Sequence, residues 1–128
     1  LVFGTYSKGS RYERELIDIF QKKGYSVIRS AGSGVGTPSP DILLFKRSKQ
    51  YGLECKAWNK TSLSLQKPKI AEMRTWQDNT GMTTMIAWRV SRDGWYFIYL
   101  DELAEMGKSF TVTLKKAKEI NRRIEVLL

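Results

Sequence analysis

The sequence predicts one α/β (α+β) domain on a central mixed sheet of about five strands flanked by helices. Three observations carry this expectation. Helical and alternating hydrophobic periods follow one another in the order α-β-β-β-α-β-β-α. The 128 residues suit one core rather than two. No repeat, low-complexity tract or Gly/Ser-rich linker divides the chain, so residues 1–128 read as a single domain, with 1–6 a flexible lead-in and 101–128 a variable C-terminal part.

The first helix is marked by Tyr12, Leu16, Ile19 and Phe20 at helical spacing. Ser10-Arg11-Tyr12-Glu13 has capping-box spacing, with an earlier start near Ser7 as the alternative, and Gly24 ends the helix behind Lys22 and Lys23. Tyr25 to Ser30 reads as a strand. Residues 31–40 form a loop with three glycines and two prolines. Asp41 to Phe45 reads as a buried strand, joined by Lys46 to Lys49 to a partner strand from Gln50 to Trp58, a hairpin. After a polar stretch, Pro68 opens a second helix carrying Ile70, Met73 and Trp76 and stopping near Gly81. Thr84 to Val90 and Trp95 to Leu100 are strands joined through Asp93-Gly94, a strong hairpin signal. A short helix is expected from Asp101 to Met106, a small strand from Phe110 to Thr113, a helix from Leu114 to Ile120, and an apolar tail from Ile124 to Leu128.

Composition removes several chemistries. With no histidine and one cysteine, Cys55, the chain lacks a disulfide framework, the soft ligands of a zinc site and the base of Ser-His-Asp or Cys-His catalysis. Carboxylates, lysine, hydroxyls or an oxygen-ligated metal remain. The net charge of +9, with pI near 9.8, points to a polyanionic partner. From Ile42 to Ala71 seven basic residues face a single acid, Glu54, so that segment carries a net +6. No stretch is long and apolar enough to span a bilayer. The opening Leu1-Val2-Phe3-Gly4 is too short for a signal-peptide core and, lacking an initiator Met, reads as processed or as a cloning remnant. A cytoplasmic location is expected.

That lone acid directs attention to Asp41, Glu54 and Lys56. Strand alternation puts Glu54 and Lys56 on one face, with Leu53, Cys55 and Ala57 on the other. The hairpin brings the strand that Asp41 begins alongside them, and Pro40 fixes the approach. Two carboxylates on adjacent rigid strands supply oxygen ligands for Mg²⁺, which retains waters and binds substrate phosphates. Such an ion acidifies water and offsets phosphate charge in phosphodiester hydrolysis. Lys56 then orients the attacking water, contacts the scissile phosphate, acts as a general base, or balances the carboxylates. The bland alternative makes Glu54 and Lys56 a solvated strand face and Asp41 a turn residue.

Pro40-Asp41, twelve residues, then Glu54-Cys55-Lys56 resembles the PD-(D/E)xK nuclease signature. The opening block Lys8 to Leu16 and the block Gly24 to Gly34 narrow the likeness to the archaeal-type Holliday junction resolvases, small basic homodimers. The match runs over residues 8 to 100 and is strongest through residue 56. The resemblance implies a restriction-endonuclease-like fold and an Mg²⁺-dependent endonuclease, with Mn²⁺ as a substitute. It adds Glu13 to Asp41 and Glu54 as metal ligand, and Ser33 near the scissile phosphate. It also associates Lys8, Arg14 and Arg29 with DNA binding, and Lys69 falls on the helix where related nucleases place Gln or Lys near the site. Lys60 joins the expected DNA contacts from the basic segment. The loop from Ala31 to Ser39 departs from relatives in having no basic residue.

A four-way junction needs nicks on two symmetry-related strands, so one site per chain calls for a C2 homodimer. The strand Trp95 to Leu100, apolar on both faces, suits either a central strand or a subunit interface, and the tail Ile124 to Leu128 is a second interface candidate. Lys and Arg contacts position DNA without reading its sequence, leaving selectivity to branched shape. Two other readings compete. One is a non-catalytic basic nucleic-acid-binding module stacking bases on aromatics such as Trp58. The other is a nuclease of the same superfamily acting on linear duplex.

Overall fold

The computed structural model describes residues 2–30 and 38–128, with side chains from residue 11 onward. Helix α1 (Val2–Lys22) leads into β1 (Ser26–Arg29), β2 (Ile42–Lys46) and β3 (Lys49–Ala57). Strand β4 (Ser62–Gln66), helix α2 (Lys67–Thr80) and strands β5 (Thr83–Val90) and β6 (Gly94–Tyr99) follow. A 3₁₀ turn at Leu100–Glu102, β7 (Ala104–Met106), β8 (Ser109–Thr113), α3 (Leu114–Ile120) and a 3₁₀ turn at Ile124–Val126 complete the chain.

The expected five-stranded mixed sheet is present, in the order β1-β2-β3-β5-β6. Only β3 and β5 are parallel; the remaining neighbours are antiparallel. That parallel step needs a crossover, and β4 with α2 supplies it. Strand β5 lies inside the sheet and is buried on both faces, which accounts for its nearly continuous apolar run. Met85 and Ala87 pack with Leu16 and Phe20 of α1, while Ile86, Trp88 and Val90 pack with Ile70 and Met73 of α2. The sheet therefore separates two cores.

Three local expectations are corrected. Helix α1 starts at Val2, so Ser10 lies inside it and is not an N-cap. Residues 62–66, passed over as polar, alternate Ser-Leu-Ser-Leu-Gln and form β4, with Leu63 and Leu65 turned into the α2-side core. The helix expected over Asp101 to Met106 ends after one 3₁₀ turn. Buried Leu103 then leads extended chain into β7, and β4, β8 and β7 form a second, antiparallel sheet. Gly24 does end α1, in a left-handed conformation at φ 89° that glycine adopts without steric cost.

The C-terminal segment closes the edge of the main sheet. Phe97 N–H donates to Arg122 O (2.9 Å), Arg122 Nη1 donates back to Phe97 O (3.0 Å), and Arg123 Nε donates to Trp95 O (2.9 Å). Trp95, Tyr96, Phe97 and Ile98 are buried within the chain itself, as is Leu127 of the tail. The apolar β6 is thus a core strand whose outer edge the chain's own tail covers.

Candidate active site

Sheet register builds the site. Ile42 pairs with Leu53, so Asp41, one residue ahead of β2, stands opposite Glu54. Ser30 N–H donates to Asp41 O (2.8 Å), which ties the start of β2 to the end of β1. The Asp41 side chain reaches across to β3, where Oδ2 accepts the Cys55 N–H at 2.9 Å. The Pro40 ring, next to Asp41, lies against Gly52 of β3. A Cβ at that position would lie 2.9 Å from Pro40 Cγ and 3.5 Å from Met82 Sδ. An interior strand glycine is a signal of such an approach, and the sequence reading did not use it.

Glu54 is the anomaly of the site. It is only 4% exposed, and its Oε1 is the one buried side-chain polar atom among the described residues with no hydrogen-bond partner. Two lysines approach without closing on it: Lys69 Nζ of α2 is 3.4 Å from Oε1, and Lys56 Nζ is 3.9 Å from Oε2. Burial, reinforced by the Asp41 charge, pushes the Glu54 carboxyl up to about 7 against the pull of Lys69 and Lys56. Asp41 is also raised, chiefly by burial, with the Cys55 N–H opposing it. Burial drives the Cys55 thiol well up, so Cys55 is a neutral filler beside the α1-side core.

The other expected site residues divide. Glu13 of α1 lies near enough to Asp41 to raise its pKa, but its Oε1 accepts from Arg29 Nε at 2.7 Å. Among the described residues no group of three or more His, Cys, Asp or Glu side chains is placed to hold a metal. Arg29, expected on DNA, is in that ion pair; Arg14 is exposed on α1. Lys60 lies over the Trp58 ring, with Nζ 4.8 Å from its centroid. Lys69, also expected on DNA, comes to Glu54 because the buried Ile70 beside it seats α2 on the sheet. Ser33 lies outside the described residues, as does the Lys8 side chain.

A basic mixed α/β domain in which a half-buried carboxylate, a buried one and two lysines converge at one end of its sheet has the architecture of a phosphodiesterase. The family model for archaeal Holliday junction resolvase (hjc) matches residues 4–127. The crossover junction endodeoxyribonuclease Hjc of Archaeoglobus fulgidus is 31% identical over 107 residues, covering 83% of this chain and 79% of that protein. The protein of the same name from Methanocaldococcus jannaschii is 32% identical over 108 residues, covering 84% and 77%. The solved structure of the Archaeoglobus fulgidus Hjc, described as a Holliday junction resolvase from an archaeal hyperthermophile, superposes with a TM-score of 0.83 at 26% identity. It covers 94% of this chain and 95% of that one. The chain belongs to the archaeal Holliday junction resolvase family, as the motif blocks of the sequence imply.

Proposed function

We propose that this chain resolves four-way DNA junctions in the cytoplasm as a homodimer, by divalent-metal-dependent hydrolysis at Asp41 and Glu54. The observation that carries the reading is the buried Glu54 oxygen, without a hydrogen-bond partner although Lys69 lies 3.4 Å away, beside a second carboxylate in a strongly basic chain. Leaving such an atom unsatisfied costs stability, and a hard cation fits the oxygen donor set. Asp41 and Glu54 would hold Mg²⁺, with Mn²⁺ as a substitute, and Glu13 would join them on leaving Arg29. When bound, the ion supplies positive charge against the scissile phosphate and acidifies the attacking water.

The remaining work falls to the chain's own side chains. The Lys56 ammonium, its side chain 42% exposed, would contact the scissile phosphate or orient the water that attacks it. Lys69 holds a second positive charge at the other carboxylate oxygen of Glu54. Arg14, Lys8 and Lys60 would contact phosphates along the DNA arms, and Ser33 the phosphate at the cut. These contacts carry affinity without sequence information. Two such sites related by a two-fold axis would nick opposed strands.

A labelled four-way junction and a matched linear duplex, each with Mg²⁺ or chelator, test the reading alongside Glu54→Gln and Lys56→Met. Paired junction nicks are expected in Mg²⁺ alone, lost in both variants while junction binding persists. Equal cutting of linear duplex would move the chain to another nuclease specificity. Cutting that survives Glu54→Gln would remove the proposed site.

A further inference from the structure

Trp58 is an exposed aromatic that the hydrolytic site does not use. It follows Lys56 by two residues at the end of β3, so strand alternation puts its ring on the face that carries Glu54 and Lys56. The hydrogen bonds agree with that placement. Trp58 Nε1 donates to Ser62 O (3.1 Å) at the start of β4, and Trp58 O accepts from the indole N–H of Trp88 (2.8 Å), which belongs to the α2-side core. The Trp58 N–H donates to Arg89 O (3.0 Å) and continues the β3–β5 pairing past Ala57.

The ring is therefore held in one orientation while remaining 40% exposed, and Lys60 Nζ adds a cation 4.8 Å from its centroid. A single exposed apolar residue needs no explanation by itself. This one is tied down at its backbone and its indole N–H, carries a cation, and lies roughly 7 Å along the strand from Lys56. Aromatic faces with adjacent cations are stacking platforms for unpaired bases, and every base presents a π-face to them. A duplex stacks its bases without interruption; a branch point breaks that continuity, so unstacking a base there costs less than within a duplex.

We propose that Trp58, with Lys60 beside it, is a nucleobase-stacking subsite that receives a base unstacked at the branch point, about one nucleotide from the phosphate at Lys56. It separates junction from duplex by the availability of that base. The inference rests on the catalytic face proposed above.

The test places 2-aminopurine at the branch point and follows its fluorescence and the binding of junction and linear duplex, in Ca²⁺ to suppress cutting. Wild type is expected to change the 2-aminopurine signal. Trp58→Ala should lose that change and bind the junction roughly 5- to 100-fold more weakly, with duplex affinity within about two-fold. Trp58→Phe should retain most of both effects, since it keeps a π-face without the Ser62 bond. Trp58→Leu, which keeps apolar bulk, replaces the alanine variant if the latter's circular dichroism departs from wild type, and should behave as the alanine variant does. Junction binding and 2-aminopurine response unchanged by loss of the ring overturn the proposal. So does an equal loss of junction and duplex affinity, or a phenylalanine variant as defective as alanine. Glu54→Gln separates the two levels in Mg²⁺. A Glu54→Gln protein that still cuts removes the catalytic face and this subsite with it. One that is inactive while Trp58→Ala binds as wild type overturns the subsite alone.

Discussion

Replacing Glu54 by Gln should stabilise this protein above neutral pH while abolishing its proposed activity. The carboxyl titrates near 4.5 in the unfolded chain and near 7 in the folded one. Between those values the native state binds more protons than the unfolded state, so stability falls as pH rises through the window and is lowest above about 7. The raised value corresponds to a penalty on the order of 3 kcal/mol at pH 8. Gln keeps the shape but buries an amide, which returns about 1–2 kcal/mol of that gain. A net gain of about 1–2 kcal/mol remains, a rise in Tm of roughly 4–8 °C for a chain of this size. Thermal melts of both proteins, without divalent ions and at equal concentration, should show this difference at pH 8 and its reversal near pH 4.5, where little ionisation penalty is left to remove and the buried amide makes the variant about 1 kcal/mol less stable. Equal melting temperatures at pH 8, a less stable variant at that pH, or a difference independent of pH would refute the argument that an ionised, poorly compensated Glu54 strains the fold.

Two further outcomes follow from the same geometry. Gly52→Ala puts a Cβ 2.9 Å from Pro40 Cγ, so the Pro40 ring or its surroundings must shift, which is expected to displace the adjoining Asp41. Denaturant titration should show a loss of about 1–3 kcal/mol. Junction cleavage should fall steeply, since a 1 Å misplacement costs roughly 100-fold; a wild-type rate would show that Pro40 does not position Asp41. Adding Mg²⁺ at pH 8 should raise the wild-type Tm by several degrees, because a ligand at about 100 times its Kd adds about 2.7 kcal/mol. Glu54→Gln should lose most of that rise, and an equal rise in both proteins would place the ion elsewhere.

Much of the fold was legible because its signals are local. Gly24, Asp93-Gly94 and the double-sided apolar run of β5 each carry their meaning within a few residues, and α3 falls at the expected Leu114–Ile120. Strand β4 was missed although its alternation is regular, because Ser62, Ser64 and Gln66 made the segment look like solvent-facing loop and its partner β8 lies over forty residues away. The 101–106 segment misled because Asp101 looks like a helix cap, whereas its carboxylate accepts from Arg74 (2.9 Å) and the chain turns out at Leu103. At the site, alternation and the hairpin were enough to bring Asp41 opposite Glu54. The Arg29–Glu13 ion pair joins α1 to β1 and had no signal in either segment alone. Lys69 was visible as a basic helix residue, but its distance to Glu54 depends on how Ile70 and Met73 seat α2.

That dependence links the chemistry to the crossover. Glu54 comes from β3, its nearer cation from α2, and the path between them passes through β4 and the second sheet. The lysine on Glu54's own strand is at 3.9 Å and 42% exposed, where solvent screens it; the one brought by α2 is at 3.4 Å and 32% exposed. Neither contact satisfies Oε1. A site optimised for the stability of the isolated chain would close one of these gaps or replace the acid, since a buried charge with imperfect partners costs more than a neutral residue of the same shape. The cost persists at the atom proposed to hold a cation. It is largest above neutral pH, where the ionised carboxylate is the form a cation binds.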